Sequence, residues 1–184
     1  PPSRNCICEV GTQNQQRNFL DALLERGSNK FLLDTFYIEH LYDRDLPLTI
    51  HYEFSIPDYV MNYGDEFYVN LNLYQDYNGR ELKENREVAV EEDFKGVLKV
   101  HNALSLPDGY EVNFIPEKAT FNHELFSYEI AYNQNKNALN YNFLSREDFL
   151  LLKKDDFAAW NNMIRKMKRA YNESVILKKI PEEN

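Results

Sequence analysis

The chain has 184 residues and a net charge of −9; 43% of its residues are hydrophobic and 28% charged, which suits a buried core and disfavours disorder. That acidic balance argues against binding nucleic acid, which takes a basic face, and against docking on anionic lipid. No apolar run reaches the roughly 18 residues of a membrane-spanning helix, and 13 Tyr and 12 Phe against 1 Trp favour half-buried sheet surfaces over a helical bundle.

The chain begins Pro1-Pro2, with no initiator Met and no signal peptide, and reads as a piece excised from a longer protein. Cys6 and Cys8 sit one residue apart and make no disulfide framework. Thr12 followed by Gln15 fits a capping box, and Phe19, Leu20, Leu23 and Leu24 recur at helical spacing before Gly27. These signals predict a helix over about 13–26. Residues 31–41 read as a strand apolar on both faces, and Tyr42-Asp43-Arg44-Asp45 as a turn. Leu48, Ile50, Tyr52, Phe54 and Ile56 then alternate with polar residues, the pattern of an antiparallel strand with one wet face.

Phe67, Val69, Leu71 and Leu73 alternate in the same way and predict another strand. Residues 74–86 are polar and loop-like in composition, the expected internal boundary if the single domain has one. Val88 and Val90 suggest a short strand, and 98–106 a longer one. Pro107-Asp108-Gly109 is a turn, read here as a hairpin corner into the strand of Tyr110, Val112 and Phe114. Two more alternating runs, 126–132 and 139–143, flank a loop at 133–137. Phe157, Trp160, Ile164, Met167 and Tyr171 then recur three and four apart, with Arg165, Lys166, Lys168 and Arg169 on the opposite face. They predict a second helix over about 155–172, followed by a strand at 174–177. Strands in succession with helices near the two ends define an α+β domain, mainly an antiparallel sheet or sandwich.

The segments PLTIHYEFSIPDYV (47–60), GDEFYVNLNL (64–73), LSLPDGYEVNFIPE (104–117) and DDFAAWNNMIRKMKRAYNESVILKK (155–179) come in an order that resembles the C-terminal accessory domain of bacterial transglutaminase-like proteins of unknown function. Those proteins carry an N-terminal β-sandwich, a central transglutaminase-like domain and a C-terminal β-rich domain. The resemblance spans about residues 12–179. It implies a parent in the periplasm or cell envelope, whose papain-like Cys-His-Asp constellation lies in the central domain. No motif of that central domain is present in this chain, so no catalytic residue is carried over.

The residues themselves nominate little chemistry. Cys6 and Cys8 have no histidine motif around them, and their spacing to His40 or His51 fits no zinc pattern. His40, His51, His101 and His123 are scattered singly; His51 and His101 lie on polar strand faces that a shared sheet would bring together. Glu91-Glu92-Asp93 reads as solvated surface and Asp155-Asp156 as a helix N-terminus. Trp160, at core spacing, reads as packing. Asn172-Glu173-Ser174 is formally a glycosylation sequon. The surface candidate is the loop of Tyr74, Asp76, Tyr77, Asn78 and Arg80, where exposed tyrosines beside amide and carboxylate groups suit a sugar or peptide. Its plainer reading is a polar connection whose tyrosines pack back on the sheet. No cofactor and no metal is expected. The reading is a non-catalytic accessory module that packs beside a transglutaminase-like domain of the same parent or presents that domain's substrate. The alternative is an independent binder of envelope glycan or peptide through the Tyr74–Arg80 loop.

Overall fold

Thr12 starts the first helix in the expected way. Its Oγ1 accepts from the Gln15 N–H at 3.3 Å, and Gln15 Oε1 accepts from the Thr12 N–H at 3.1 Å. A computed structural model of the chain describes Ile7, residues 12–135 and residues 138–181. Cys6 and Cys8, and Lys136 and Asn137 of the expected 133–137 loop, lie outside the described residues. Two compact units form, Pro1–Tyr59 and Val60–Asn184.

In the first unit, α1 (Gln13–Leu24) packs Leu20 and Leu24 against Phe31 and Leu33. Behind them β1 (Leu32–Glu39) pairs antiparallel with β2 (Thr49–Ser55). Residues 31–41 do not form a strand buried on both faces: Leu32 and Tyr37 are exposed. A bulge explains the apolar run. Leu33 pairs with Phe54 and Thr35 with Glu53, leaving Asp34 as the additional residue. That insertion changes the parity, so Phe36 and Ile38 join Leu33 on the core face and Tyr37 turns outward.

Along the second unit come β3 (Met61–Tyr63), β4 (Glu66–Val69), β5 (Val90–Glu91), β6 (Gly96–Ser105), β7 (Tyr110–Phe114), β8 (Ala119–Asn122), β9 (Phe126–Gln134), β10 (Ala138–Glu147) and β11 (Leu151–Leu152). A 3-10 turn at Lys154–Asp156 leads into α2 (Phe157–Tyr171), and β12 (Val175–Lys179) follows. One antiparallel sheet has the order β6-β10-β9-β8 and another β3-β4-β12-β7, with β5 and β11 as a separate pair. The architecture is therefore α+β and mainly antiparallel. No helix among the described residues is long and apolar enough to cross a membrane.

α2 matches the apolar spacing almost residue for residue, burying Phe157, Trp160, Met163, Ile164, Met167 and Tyr171. These meet Phe126, Tyr128 and Ile130 of β9, Leu139, Tyr141 and Phe143 of β10, and Val175 and Leu177 of β12 in one core. Each fully buried apolar side chain contributes about 1.5–3 kcal/mol, so this helix stabilises much of the unit.

Two local expectations change. The Pro107–Gly109 turn is not a hairpin: β6 pairs with β10, whereas β7 pairs with β12 in the other sheet. The turn carries the chain between sheets, with Gly109 at φ +78° and its carbonyl accepting from the Ile180 N–H at 2.8 Å. The strand expected over 67–73 stops at Val69. There the Asn70 side-chain Oδ1 accepts from the Asn72 N–H at 2.8 Å, and this local bond replaces the ladder. The short strands β3, β8 and β11 carry too few residues for a period to show.

Candidate functional site

Residues 74–86 lie within the second unit, and the structure separates the five candidate residues of the loop into two groups. Asp76 and Asn78 are exposed and Tyr74 is half-buried. The Tyr74 hydroxyl donates to Asp76 Oδ1 at 3.4 Å, and Asn78 Nδ2 donates to Gln75 Oε1 at 2.6 Å. Tyr77 turns the other way. It is 4% exposed and donates its hydroxyl to Ser145 Oγ on β10 at 2.9 Å, so it is no surface platform for a ligand. The chain turns here at Gly79, φ +82°, which only glycine takes without strain.

Arg80 is committed to the fold as well. Nη1 donates to Glu147 Oε1 at 2.7 Å and Nη2 to Glu92 Oε1 at 3.0 Å. The guanidinium lies over the rings of Tyr77 and Trp160. Burial alone would make it a weaker base, but the charge of Glu147 and the neighbouring acids more than offset this and raise its pKa. The Trp160 indole N–H donates to the Arg80 carbonyl at 2.9 Å. Asn161, one residue on, grips Leu82 by accepting from its N–H at 2.7 Å and donating to its carbonyl at 2.8 Å. Residues 77–82 are thus a strap bound to α2, with Tyr74, Asp76 and Asn78 at its outer bend.

Nothing in the sequence singled out the polar centre beside the strap. Asn72, buried, accepts from the Tyr141 hydroxyl at 2.6 Å and donates to Asn70 Oδ1 at 3.1 Å. Asn70 Nδ2 in turn donates to the Tyr171 carbonyl at 2.7 Å, satisfying one of the carbonyls that a helix leaves free at its end. The available signal is polar residues at inward strand positions: Asn102 of β6, whose Nδ2 donates to the Leu71 carbonyl at 2.8 Å, and Ser145 of β10.

Burial is also the first cause of raised pKa values at Tyr77, Tyr141 and Tyr171, all above the ordinary 10.0. These hydroxyls stay protonated in the folded chain where the unfolded chain would ionise. Their contribution is complete below pH 10 and is lost as pH rises through the folded values. Alkaline titration should therefore show tyrosinate absorbance from these groups appearing together with loss of circular dichroism. Ionisation of every tyrosine near pH 10 with the fold intact would mean that these three hydroxyls are open to solvent.

His51 and His101 do not share a sheet. His51 stacks on Tyr37, centroids 4.2 Å apart, and places Nε2 3.3 Å from Glu39 Oε1. His101 lies in a different sheet, its Nδ1 2.8 Å from Asn142 Oδ1. Among the described residues no cluster of three His, Cys, Asp or Glu side chains is placed to hold a metal ion.

Two clefts flank α2. One, of about 610 Å³, is formed by the end of β7, by β8 and by the C-terminal half of the helix. The other, of about 340 Å³, lies between residues 83–86 and the N-terminal half. Between Asp156 and Glu173 the sequence has four cations and no acid. Arg165 and Arg169, and Lys166 and Arg169, are like-charged pairs at spacings that repel by about 0.2–0.5 kcal/mol each on a helix.

Residues 65–177, all within the second unit, match the family described as "Domain of Unknown Function with solved-structure structure (DUF3858)". No curated protein and no solved structure matches the chain. With more than half of its length matched, the chain belongs to the DUF3858 family of domains of unknown function.

Proposed function

We propose that this chain is a non-catalytic accessory module of a bacterial transglutaminase-like protein of the cell envelope, packing beside the catalytic domain or helping to present its substrate. The observation that carries this reading is a run of exposed apolar side chains on two neighbouring segments of the second unit. Val88 and Phe94 are 73% and 62% exposed, and Val97, Leu150 and Leu151 are exposed as well. The two segments are held together by the pairing of Leu151 with Glu91, by the Glu92 N–H donating to the Leu150 carbonyl at 3.0 Å, and by the Lys95–Asp148 ion pair. Large apolar groups gathered on one part of a surface mark an interaction site. The sequence resemblance supports a transglutaminase-like domain as the neighbour. A glycan- or peptide-binding role for the Tyr74–Arg80 loop has less support, because Tyr77 is buried and Arg80 is paired with Glu147 and Glu92.

Titration calorimetry of this chain against the separately expressed transglutaminase-like part of its parent tests the proposal. Saturable binding is expected, weakened at least about tenfold when Phe94→Asp and Leu150→Asp are combined. No heat at high micromolar concentrations, or equal binding by the double variant, overturns it.

A further inference from the structure

We propose that the exposed face of α2, with the wider cleft beside it, docks an acidic polypeptide segment that inserts an apolar side chain. The proposal uses none of the apolar side chains around Phe94 and does not depend on them. The first observation is charge. In a chain of net charge −9, the two clefts beside α2 are lined by seven cations and three acids. Three of the seven already have protein partners. Lys118 pairs with Glu129 at 2.9 Å, Lys154 with Glu87 at 2.7 Å, and Arg86 donates to the Val88 and Ala89 carbonyls. Arg165, Lys166 and Arg169 form no ion pair among the described residues, and Lys166 lies over the Phe121 ring.

Helix position accounts for Lys168 and Arg169, which sit in the last turn where the carbonyl end attracts cations. It does not account for Arg165 and Lys166 in the preceding turn. Cations held at mutually repelling spacings, with no ion pair among the described residues, form a surface that an acidic partner would stabilise.

The second observation is the shape of the wider cleft. Phe114, at the end of β7, is an exposed ring at its wall, with Ala119 and Ala170 beside it. β7 and β8 are each the last strand of their sheets, so backbone groups along an edge are available to an extended segment. Glu117 and Glu173 lie on the same cleft and oppose a uniformly acidic ligand. They favour one whose carboxylates are spaced by apolar residues to meet Lys166 and Arg169.

The probe is a synthetic peptide of about ten residues alternating Glu and Leu, measured against the full chain by fluorescence anisotropy. Binding is expected to weaken as salt is raised from about 50 to 300 mM, and a Lys–Leu peptide should not bind. Combining Lys166→Glu with Arg169→Glu should reduce affinity at least about tenfold, and Phe114→Ser should also reduce it, with thermal melts unchanged. If the charge-reversed chain melts early, Lys166→Gln with Arg169→Gln replaces it and should lose affinity in the same direction. Absence of binding by the Glu–Leu peptide, equal binding by the charge variants, or tighter binding of heparin or duplex DNA than of the peptide each overturns the proposal.

Discussion

Trp160→Ala is expected to destabilise the second unit by about 3–5 kcal/mol, the range for removing a large aromatic side chain from a core. The indole is buried and meets the rings of Phe126 and Phe149 edge-on at 5.2 and 5.7 Å. Its N–H also holds the Arg80 carbonyl, so the substitution leaves a cavity and releases the strap in one step. Trp160→Phe keeps part of the volume and loses the N–H, and should cost about 1–2 kcal/mol by the same reasoning. Because Trp160 is the only tryptophan, urea unfolding of these variants is followed by circular dichroism. A loss below about 1 kcal/mol for Trp160→Ala would mean that the strap and helix are not one packed body.

The second large effect belongs to Asn72. Asn72→Ala is expected to cost about 2–4 kcal/mol, because it leaves the Tyr141 hydroxyl buried without an acceptor and adds a small void. The Tyr141→Phe variant leaves the Asn72 oxygen short of a partner and should cost less. The two changes made together should cost less than their sum, since neither group is then left waiting for the other. Tyr171→Phe is the contrasting case. Its hydroxyl is buried with no hydrogen-bond partner among the described residues, so its removal should be neutral or stabilising within about 0.5 kcal/mol. A double-mutant cycle by urea unfolding reads all of these. Strict additivity of Asn72→Ala and Tyr141→Phe would deny the 2.6 Å bond between them.

Elements whose period and punctuation are local can be placed from their residues alone. α2 announced itself because its apolar residues recur three and four apart, and that spacing places them on one stripe of any helix. α1 followed from Thr12 and Gln15, which reach each other across one turn whatever lies beyond. β2 and the β9–β10 hairpin followed from alternation over enough residues to be counted.

The remaining choices are non-local. The Pro107–Gly109 turn looks the same whether the next strand returns to β6 or crosses to β12. The choice rests with β10, which begins only at Ala138 and pairs with β6. In β1 the apolar residues on both parities made sense only after the bulge at Asp34 aligned Leu33, Phe36 and Ile38. Tyr77 lies in a polar, turn-like segment, where the local residues allow both an exposed ring and one packed back on the sheet. It is buried because Ser145 supplies a hydroxyl partner, and because Trp160 and Phe143 supply rings, from elements far along the chain. The cations of α2 could be read as a helix face, but that Arg165, Lys166 and Arg169 form no ion pair among the described residues depends on which acids the fold brings near. Local spacing encodes which face a side chain occupies; what stands opposite that face is encoded by pairing between distant segments.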